Sequence, residues 1–403
     1  MARIPKPTSS VHDIYAEKPP FGSRFLTEDA DVWTQNAWDH VPPPDDQAEH
    51  IASSLQRQRL APVPDGDKVK YNSKPAKYWD TFYKTNADNF FRDRKWLHLE
   101  FPELLAAAEP EERSLSAKSD VVRCQFANTV GLPSKQISQG AGNAAFPLLS
   151  ANKNPRLTIR AYDYSSHAIK LVQNNPLYAN PPIGSIQAAV WDLTSESTLP
   201  PDVEPETVDI VLCVFVLSAL HPNEWGKGIA NIHRMLKPNG IVLVRDYGRY
   251  DLTQLRFKSE RLLDDNLYIR GDKTRVYFFE LDELALMFTG NRASSSHTTV
   301  QTTEEVTESL AQEEDSGDCI SSPTSPSHNS SLFPEPSVAT PTVLFAAIHP
   351  NLLVPLAPCP PHPLFTIEQL GVDRRLLVNR KRQLKMYRVW MQGKFKKLAG
   401  VAY

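Results

Sequence analysis

The middle of the chain alternates short apolar stretches with longer amphipathic ones. Residues 157–162 and 185–191 predict two strands, and the unbroken apolar run 208–216 is typical of a strand buried on both faces. Residues 166–174 predict a helix, and in residues 225–236 apolar side chains recur every three or four positions, which predicts another. Strands that alternate with helices predict an α/β fold with a parallel sheet and right-handed crossovers.

The flanking segments differ from this core in composition. The 34 prolines cluster near the N-terminus and between about residues 320 and 363, and we interpret both stretches as extended or disordered. Aromatic residues cluster in the segment after residue 70, where Tyr78 and Phe82, four positions apart, share a predicted helix face. The predicted division is a Pro-rich extension (1–70), an aromatic helical segment (71–110), the α/β core (111–290), a disordered Ser/Thr/Pro-rich insertion (291–363) and a basic strand segment that completes the sheet (364–403).

The overall charge does not indicate a nucleic-acid-binding protein. The 403 residues carry a formal net charge of −3, and 41% hydrophobic with 23% charged residues is ordinary for a soluble globular protein. An RNA site would therefore need a local basic patch, and the densest one is C-terminal. The same patch is equally compatible with a solvated strand edge or tail. It consists of Arg374, Arg375, Arg380, Lys381, Arg382, Lys385, Arg388, Lys394, Lys396 and Lys397.

The cysteine and hydrophobic patterns favour a reducing, non-membrane environment. The four cysteines are far apart and form no CxxC pair, so we expect neither a metal site nor a disulfide framework. The longest apolar run, residues 210–220, is too short to cross a membrane. The N-terminus has neither the apolar core of a signal peptide nor the acid-poor character of a transit peptide. These features predict a cytoplasmic protein.

Three aspartates follow predicted strands of the core: Asp163, Asp192 and Asp246, the last after a strand at 241–244. Ligands of open α/β sheets bind beyond the carboxyl ends of the strands. One carboxylate there can accept hydrogen bonds from both hydroxyls of a ribose, and the next can accept one from an adenine amino group. A single aspartate in such a place is more often a helix cap or a turn residue. The ordered set of three makes a nucleoside site the better interpretation.

A short glycine turn precedes the first of these aspartates. Gly140 and Gly142 lie about 20 residues before Asp163, which is the usual offset between a glycine-rich turn and a ribose-binding acid. No GxGxxG is present in the sequence, and a third glycine is typical of nicotinamide dinucleotide sites. The shorter turn favours S-adenosylmethionine, which has no pyrophosphate to bind.

Longer motifs carry a more specific signal. They are residues 78–84, 90–97, 100–104, 142–143, 146–149, 163–165, 168–169, 174–178, 215–222, 245–248, 250–251, 256–257, 275 and 277–279. This set resembles the eukaryotic methyltransferase-like enzymes that methylate N3 of a tRNA cytidine. A second set resembles the branch of that family that acts on threonine-type tRNAs: residues 21–26, 36–39, 372–375, 378–380 and 386–390.

The resemblance implies a class I, Rossmann-like fold that uses S-adenosylmethionine, with a mostly parallel seven-stranded sheet and helices on both faces. In such a site Asp163 would hold the ribose, Asp192 and Leu193 would flank the adenine, and Val214 would lie beneath the cofactor. Two aromatic side chains would pack on the cofactor, although core aromatics are the more common arrangement; an aromatic lid suits a sulfonium because ring faces attract cations. The implied cofactor-binding residues are Trp79, Tyr83, Ser138, Gly140, Gly142, Asp163, Asp192, Leu193 and Val214.

The implied reaction transfers a methyl group to N3 of the cytidine at position 32, in the tRNA anticodon loop. N3 of neutral cytosine already carries a lone pair, so catalysis should consist mainly of positioning and desolvation. The product ring is cationic, which makes Asp246 the candidate catalytic residue, with a structural cap as the alternative. The target base must leave its stack, which suits a loop nucleotide.

Phosphate contacts are expected from arginines in two parts of the chain. The implied partner is a threonine-type tRNA, with or without an accessory protein, and neither a membrane nor a metal ion is expected. The candidate RNA-binding residues are Arg92, Arg94, Arg374, Arg375, Arg380 and Arg388.

One stretch departs from the family pattern, which has an acidic residue and a further glycine just before the Gly-x-Gly. Gln136 and Ser138 stand at those two positions, and the Ser138 side chain would crowd the cofactor. Either the chain has diverged into an impaired, RNA-binding relative, or residues 113–139 come from a gene-model error such as a translated intron. A methyltransferase for a small molecule or a protein is the next alternative, and a nicotinamide oxidoreductase is a more distant one.

Overall fold

The computed structural model describes residues 26, 29–39, 41, 46–86, 94, 97–110, 120–124, 142–293 and 348–399. Of the predicted site residues, Arg92, Ser138 and Gly140 lie outside the described residues, as do residues 294–347 of the predicted insertion. None of the described helices is both long and apolar enough to cross a membrane.

The strands form two sheets. The larger has eight strands in the order β1-β10-β11-β6-β5-β2-β3-β4, and β7, β8 and β9 form the smaller. The strands are β1 (Ala37–Asp39), β2 (Asp120–Cys124), β3 (Thr158–Asp163), β4 (Ser185–Val190), β5 (Val208–Val214), β6 (Leu236–Tyr247), β7 (Leu262–Asp264), β8 (Leu267–Ile269), β9 (Arg275–Tyr277), β10 (Phe365–Asn379) and β11 (Leu384–Lys397).

Five neighbouring strands of the large sheet, β4, β3, β2, β5 and β6, run parallel to one another. β5 lies between β2 and β6, and its side chains alternate between the two faces: Ile210 and Leu212 pack on one side, Val211 and Cys213 on the other. The unbroken apolar run of β5 therefore reflects burial on both faces. The predicted α/β class is confirmed.

The other edge of the large sheet is antiparallel. β11 pairs with β6, with Trp390 opposite Tyr247, and β10 pairs with β11 as a long hairpin. β1 then adds to β10, with Trp38 opposite Leu376. This short N-terminal strand is why the described sheet has eight strands where seven were expected.

Helices cover both faces of the large sheet. α3, α6 and α7 pack over the face of Ile210 and Leu212, while α9 and α11 pack over the face of Val211 and Cys213. The helices are α1 (Gln47–Leu60), α2 (Asp65–Ser73), α3 (Pro75–Asn86), α4 (Leu97–Glu100), α5 (Pro102–Ala108), α6 (Ala145–Ala151), α7 (Ser166–Gln173), α8 (Pro176–Ala179), α9 (Trp225–Met235), α10 (Leu252–Leu255) and α11 (Leu281–Thr289).

The small sheet lies against the carboxyl end of β6. The backbone N–H of Phe279, just after β9, donates to the Tyr247 carbonyl at 2.9 Å, and the Phe278 and Tyr247 rings are 5.7 Å apart. α1 covers this sheet because Gln58 accepts a hydrogen bond from the Tyr268 hydroxyl at 2.8 Å and donates one to the Gln254 carbonyl at 2.8 Å. The small sheet is therefore a wall beside the predicted site.

The structure corrects three predictions about segments. The N-terminal stretch was expected to be extended or disordered, but residues 47–60 form α1, whose Ile51 and Leu55 are buried against Leu255. Residues 348–363 of the predicted disordered insertion pack on α9 and α11, with Leu352 and Leu356 in the core. β6 starts at Leu236 rather than at residue 241, because the Lys237–Asn239 stretch continues directly into the strand.

Candidate active site

α3 is fixed to the carboxyl end of β3 through Asp80. Asp80 Oδ1 accepts a hydrogen bond from the Ser165 hydroxyl at 2.6 Å and another from the His167 backbone N–H at 3.2 Å. Both donors lie at the start of α7. The aromatic residues of α3 are thereby held beside the end of β3.

Trp79 and Tyr83 are buried, and they pack edge to face or tilted around Phe82, with ring centroids 5.4 to 6.3 Å apart. They belong to the same apolar cluster as Val214, the last residue of β5. Burial, and then the neighbouring Asp163 carboxylate, raise the pKa of the Tyr83 hydroxyl well above its ordinary value. Tyr83 thus faces Asp163 as a neutral phenol, within a packed aromatic cluster.

Asp163 is the last residue of β3 and is buried. Its Oδ1 accepts a hydrogen bond from the Ser165 backbone N–H at 2.8 Å, which holds the carboxylate at the turn into α7. A carboxylate oriented by its own turn beyond a parallel strand is placed to receive the hydroxyls of a ribose. The cap and the ligand-binding interpretations are compatible here, because one carboxylate has several acceptor sites.

Asp192 lies on the surface after β4, and its Oδ1 accepts hydrogen bonds from the Thr194 backbone N–H and hydroxyl, both at 2.8 Å. The Leu193 side chain is fully buried in the core with residues of α9. Tyr164, Asp192, Thr194 and Arg275 are among the residues that line a small cavity. Tyr164 was not predicted; its position directly after Asp163 was the available signal.

Gly142 needs to be glycine in this fold. Its φ is +90°, and a Cβ at this position would meet the Phe146 ring at 2.4 Å. The next residue, Asn143, accepts a hydrogen bond from the Arg94 backbone N–H at 2.7 Å. The turn before α6 is thus hydrogen-bonded to the backbone of Arg94.

Asp246 lies in β6 with its carboxylate fully buried. Its Oδ2 accepts a hydrogen bond from the Ser218 backbone N–H at 3.0 Å, and its Oδ1 accepts one from the Tyr247 N–H at 2.8 Å. Burial raises the pKa of Asp246 to about 6, although hydrogen bonds from Ser218 and Tyr247 oppose the rise. The group is a carboxylate at neutral pH and becomes neutral in mild acid.

Aromatic rings join the ends of β5 and β6. The Phe215 and Tyr247 ring centroids are 4.6 Å apart, and the guanidinium of Arg94 lies over the Phe215 ring at 5.5 Å. Arg94 is buried. The predicted contact of Arg94 with RNA phosphate stays a prediction, and the structure places this arginine inside the site, between the Gly142 turn and Phe215.

Two further arginines predicted to bind RNA are buried in the sheet. Arg375 is 2% exposed and pairs with Glu100 at 3.3 Å and with Asp373 at 3.2 Å, and the Arg388 guanidinium pairs with Asp251 at 2.9 Å. Burial alone would raise the pKa of Asp373, but the arginines beside it hold that pKa below its ordinary value. These partners correct the prediction, since a guanidinium committed to buried carboxylates does not fit a surface contact with phosphate.

The remaining candidates, Arg374 and Arg380, are exposed. Arg380 lies at the tip of the β10–β11 hairpin, where its guanidinium donates to the Thr34 carbonyl at 3.4 Å. Lys385, near the tip, places its ammonium 5.8 Å from the centroid of the Trp33 ring. The exposed basic side chains of this tip are Arg380, Lys381, Arg382 and Lys385.

Comparison with known proteins identifies this arrangement. Residues 136–242 match the model of a methyltransferase domain. The chain is 36% identical to the tRNA N(3)-methylcytidine methyltransferase of Schizosaccharomyces pombe, over 97% of each protein. The chain belongs to the tRNA N3-methylcytidine methyltransferase family. It is also 34% identical to the tRNA N(3)-cytidine methyltransferase of Danio rerio, over 95% of this chain and 90% of that protein.

A third relative within the family is longer. The chain is 38% identical to the tRNA(Thr) (cytosine(32)-N(3))-methyltransferase of Saccharomyces cerevisiae over 93% of its own length, but it spans only 45% of that protein. The matched methyltransferase domain includes Gly142, Asp163, Asp192 and the start of β6, and it ends before Asp246.

The residues of this site fit S-adenosylmethionine, the cofactor of methyltransferases of this family. Asp163 offers a buried acceptor for a ribose, the Gly142 turn leaves no room for a side chain, and Tyr164 lies beside the cavity at Asp192. A larger cavity, between α9 and residues 357–360, contains none of the predicted site residues. Among the described residues, no group of three or more His, Cys, Asp or Glu side chains is arranged to hold a metal ion.

Proposed function

We propose that this protein methylates N3 of a tRNA cytidine, at position 32 in the anticodon loop of threonine-type tRNAs. The observation that carries the proposal is the match over almost the entire chain to proteins named for methylation at N3 of cytidine, one of them for tRNA(Thr) and position 32. The strand-terminal acids at Asp163 and Asp246 supply the two halves of a site for such a reaction.

The cofactor half is formed by Asp163, the Gly142 turn, Val214 and Tyr164, with Trp79 and Tyr83 as the aromatic wall behind them. S-adenosylmethionine supplies the methyl group when it is bound. Asp192 lies at the other end of this cofactor half, where its exposed carboxylate can accept a hydrogen bond from an adenine amino group.

The methyl transfer requires the protein to position and desolvate N3 of the cytosine, and no proton has to be removed. The aromatic pair Phe215 and Tyr247 borders the place where a flipped base would enter, and base stacking on aromatic rings is a common way to hold one. The Asp246 carboxylate, ionised at neutral pH, stabilises the positive charge that develops on the cytosine ring.

The RNA backbone is contacted from the surface by the exposed arginines Arg374 and Arg380, with the other basic side chains of the hairpin tip around Arg380. Trp33 beside Lys385 adds an aromatic face to this surface. We also propose a cytoplasmic location, as expected from four cysteines that are far apart in the sequence and form no CxxC pair.

A second candidate is an impaired relative that binds RNA without efficient methylation. In the structure the central strand β2 ends at Cys124, and residues 125–141, among them Ser138, separate it from Gly142. A glycine turn that directly follows the first strand is typical of nucleotide-binding α/β folds. The interposed residues favour this candidate.

Calorimetric titration of the purified chain with S-adenosylmethionine distinguishes the active methyltransferase from the impaired relative. The enzyme should bind saturably, the Asp163→Ala variant should lose that binding, and Asp65→Ala, at a side chain that is 95% exposed, should not. A folded chain that binds tRNA but no cofactor would establish the impaired relative. Methylation is then measured by reverse-transcription arrest on a tRNA(Thr) transcript, with uridine in place of the target cytidine as control.

A further inference from the structure

Three buried arginines, Arg249, Arg270 and Arg275, belong to the small sheet and its flanks. Two of them have carboxylate partners: Arg249 pairs with Glu280 at 3.3 Å, and Arg275 pairs with Glu224 at 2.9 Å. Arg270 differs from both. Two of its donor atoms, Nε and Nη2, are buried without an acceptor in the part of the chain that the structure describes, whereas Arg249 and Arg275 each have one such atom, Nε.

Arg270 points at the site rather than away from it. It follows β8, is 6% exposed, and its guanidinium carbon lies 5.5 Å from the centroid of the Tyr247 ring. Tyr247 directly follows Asp246 and is 4.6 Å from Phe215. A cation over an aromatic ring gains some energy, but this does not satisfy the N–H donors of a guanidinium.

The position of Arg270 is fixed by its own turn. Its backbone N–H donates to the Thr274 carbonyl at 2.8 Å, and its carbonyl accepts from the Lys273 N–H at 3.0 Å and from the Arg261 guanidinium at 3.3 Å. The backbone of Arg270 is therefore held by its turn, while its Nε and Nη2 atoms have no acceptor among the described residues. Buried donors without partners are costly, and they concentrate where a ligand supplies the missing acceptors.

We propose that Arg270 binds the backbone phosphate of the RNA nucleotide whose base enters the site, and so positions that nucleotide for methylation. The inference rests on the proposed RNA substrate. A guanidinium matches the geometry of two phosphate oxygens, and Arg270 has two buried donors to offer. Holding the phosphate beside Tyr247 fixes the base relative to Asp246.

The other anion that could reach this place is the carboxylate of the cofactor's methionine moiety. The structure favours the phosphate because two arginines lie at opposite ends of the aromatic pair. Arg94 lies over Phe215 and is hydrogen-bonded to Asn143 in the turn that borders the cofactor half. Arg270 lies over Tyr247, on the side of the small sheet and Asp246.

The test compares Arg270→Met and Arg270→Lys with the full-length parent. Lys273→Gln is the matched control, because it removes one positive charge from the same turn at an exposed position. Three quantities are measured for each protein: the cofactor Kd by calorimetry, the KM and kcat for a tRNA(Thr) transcript, and the salt dependence of RNA binding. Thermal unfolding reports on the fold.

Arg270→Met should raise the tRNA KM about tenfold and reduce the slope of log K against log salt by about one. Arg270→Lys should recover part of the affinity, because an ammonium provides charge without the paired donors. The cofactor Kd should stay at the parental value in both. The unfolding midpoint of Arg270→Met should be at least that of the parent, since a buried cation without a partner has been removed.

Two results would overturn the proposal. If Arg270→Met weakens cofactor binding and leaves RNA binding unchanged, the anion is the cofactor carboxylate. If neither affinity changes, or if Lys273→Gln has the same effect as Arg270→Met, Arg270 holds no ligand. Failure of the proposed function would give a different result from failure of the Arg270 proposal. In that case the parent itself would bind the cofactor without methylating any tRNA transcript.

Discussion

The backbone N–H of Ser218 donates a hydrogen bond of 3.0 Å to Asp246 Oδ2. This bond ties the loop after β5 to β6 and leaves the carboxylate buried beside the Phe215–Tyr247 pair. If the Asp246 carboxylate stabilises the positive charge on the methylated ring, Asp246→Asn should lower kcat about 100-fold and leave the cofactor Kd nearly unchanged. Single-turnover methylation and calorimetry measure the two effects. An equal loss of cofactor binding would show that the aspartate only supports the fold of the site.

The raised pKa of Asp246 gives an independent pH test. Its pKa of about 6 means that the carboxylate is lost as the pH falls through 6, well before an ordinary aspartate would be protonated. The kcat of the parent should therefore decline below about pH 6. The residual kcat of Asp246→Asn should not show this decline. The same acid limb in both proteins would assign it to another group.

Buried and exposed arginines of the C-terminal strands should behave oppositely. Arg375→Ala leaves Glu100 and Asp373 with less positive charge, so we expect a loss of about 3 kcal/mol in the free energy of unfolding, measured by urea denaturation. Arg380→Ala at the exposed tip should change this free energy by less than about 0.5 kcal/mol and weaken RNA binding instead. Loss of RNA affinity in a fully stable Arg375→Ala protein would contradict this division.

The case of Arg375 also shows how far sequence alone could go. Strand periodicity predicted β3, β4 and β5 and placed Asp163, Asp192 and Asp246 at strand ends, because burial of a parallel strand is encoded locally. Charge density predicted ten basic residues as one surface. Whether an arginine in an alternating strand faces solvent or a buried carboxylate depends on partners such as Glu100, which is 275 residues away in sequence.

Other features of the structure could not be predicted from a local sequence pattern. Arg270 was not predicted, because its importance lies in two buried side-chain donors that have no acceptor among the described residues, and no short motif indicates this. β1 is three residues long and forms only because the edge of β10 is available to it. The Lys237–Asn239 stretch looks like a helix stop followed by a loop, yet the strand begins at Leu236 because β5 pairs with it there.

Gly142 should tolerate no side chain. Gly142→Ala places a Cβ 2.4 Å from the Phe146 ring and requires an unfavourable φ of +90°. We expect a loss of about 2 kcal/mol in the free energy of unfolding and weaker cofactor binding. Gly66→Ala is the matched control, because nothing lies within 4 Å of its Cβ position. Unchanged cofactor binding by a Gly142→Ala protein would separate this turn from the cofactor site.

Glu283 in α11 holds the returning chain at residue 349 onto the core. Its carboxylate accepts hydrogen bonds from the Tyr277 hydroxyl at 2.8 Å, the Glu280 N–H at 2.8 Å and the His349 N–H at 2.9 Å. Burial raises the pKa of Glu283 to about 7. A raised acid pKa contributes stability that is fully present below the ordinary value of 4.5 and is lost as the pH rises through 7.

Glu283→Gln is uncharged at every pH, so the stability of the parent relative to this variant should fall by about 3 kcal/mol between pH 5 and pH 8. The lowered pKa of His349 is common to both proteins and largely cancels in the difference. Glu206→Gln is the control, because Lys397 lowers the pKa of Glu206 and moves its titration below this pH range. Urea denaturation at each pH provides the free energies. A parent–variant difference that is constant from pH 5 to pH 8 would mean that Glu283 stays ionised in the fold, with its three donors outweighing the effect of burial.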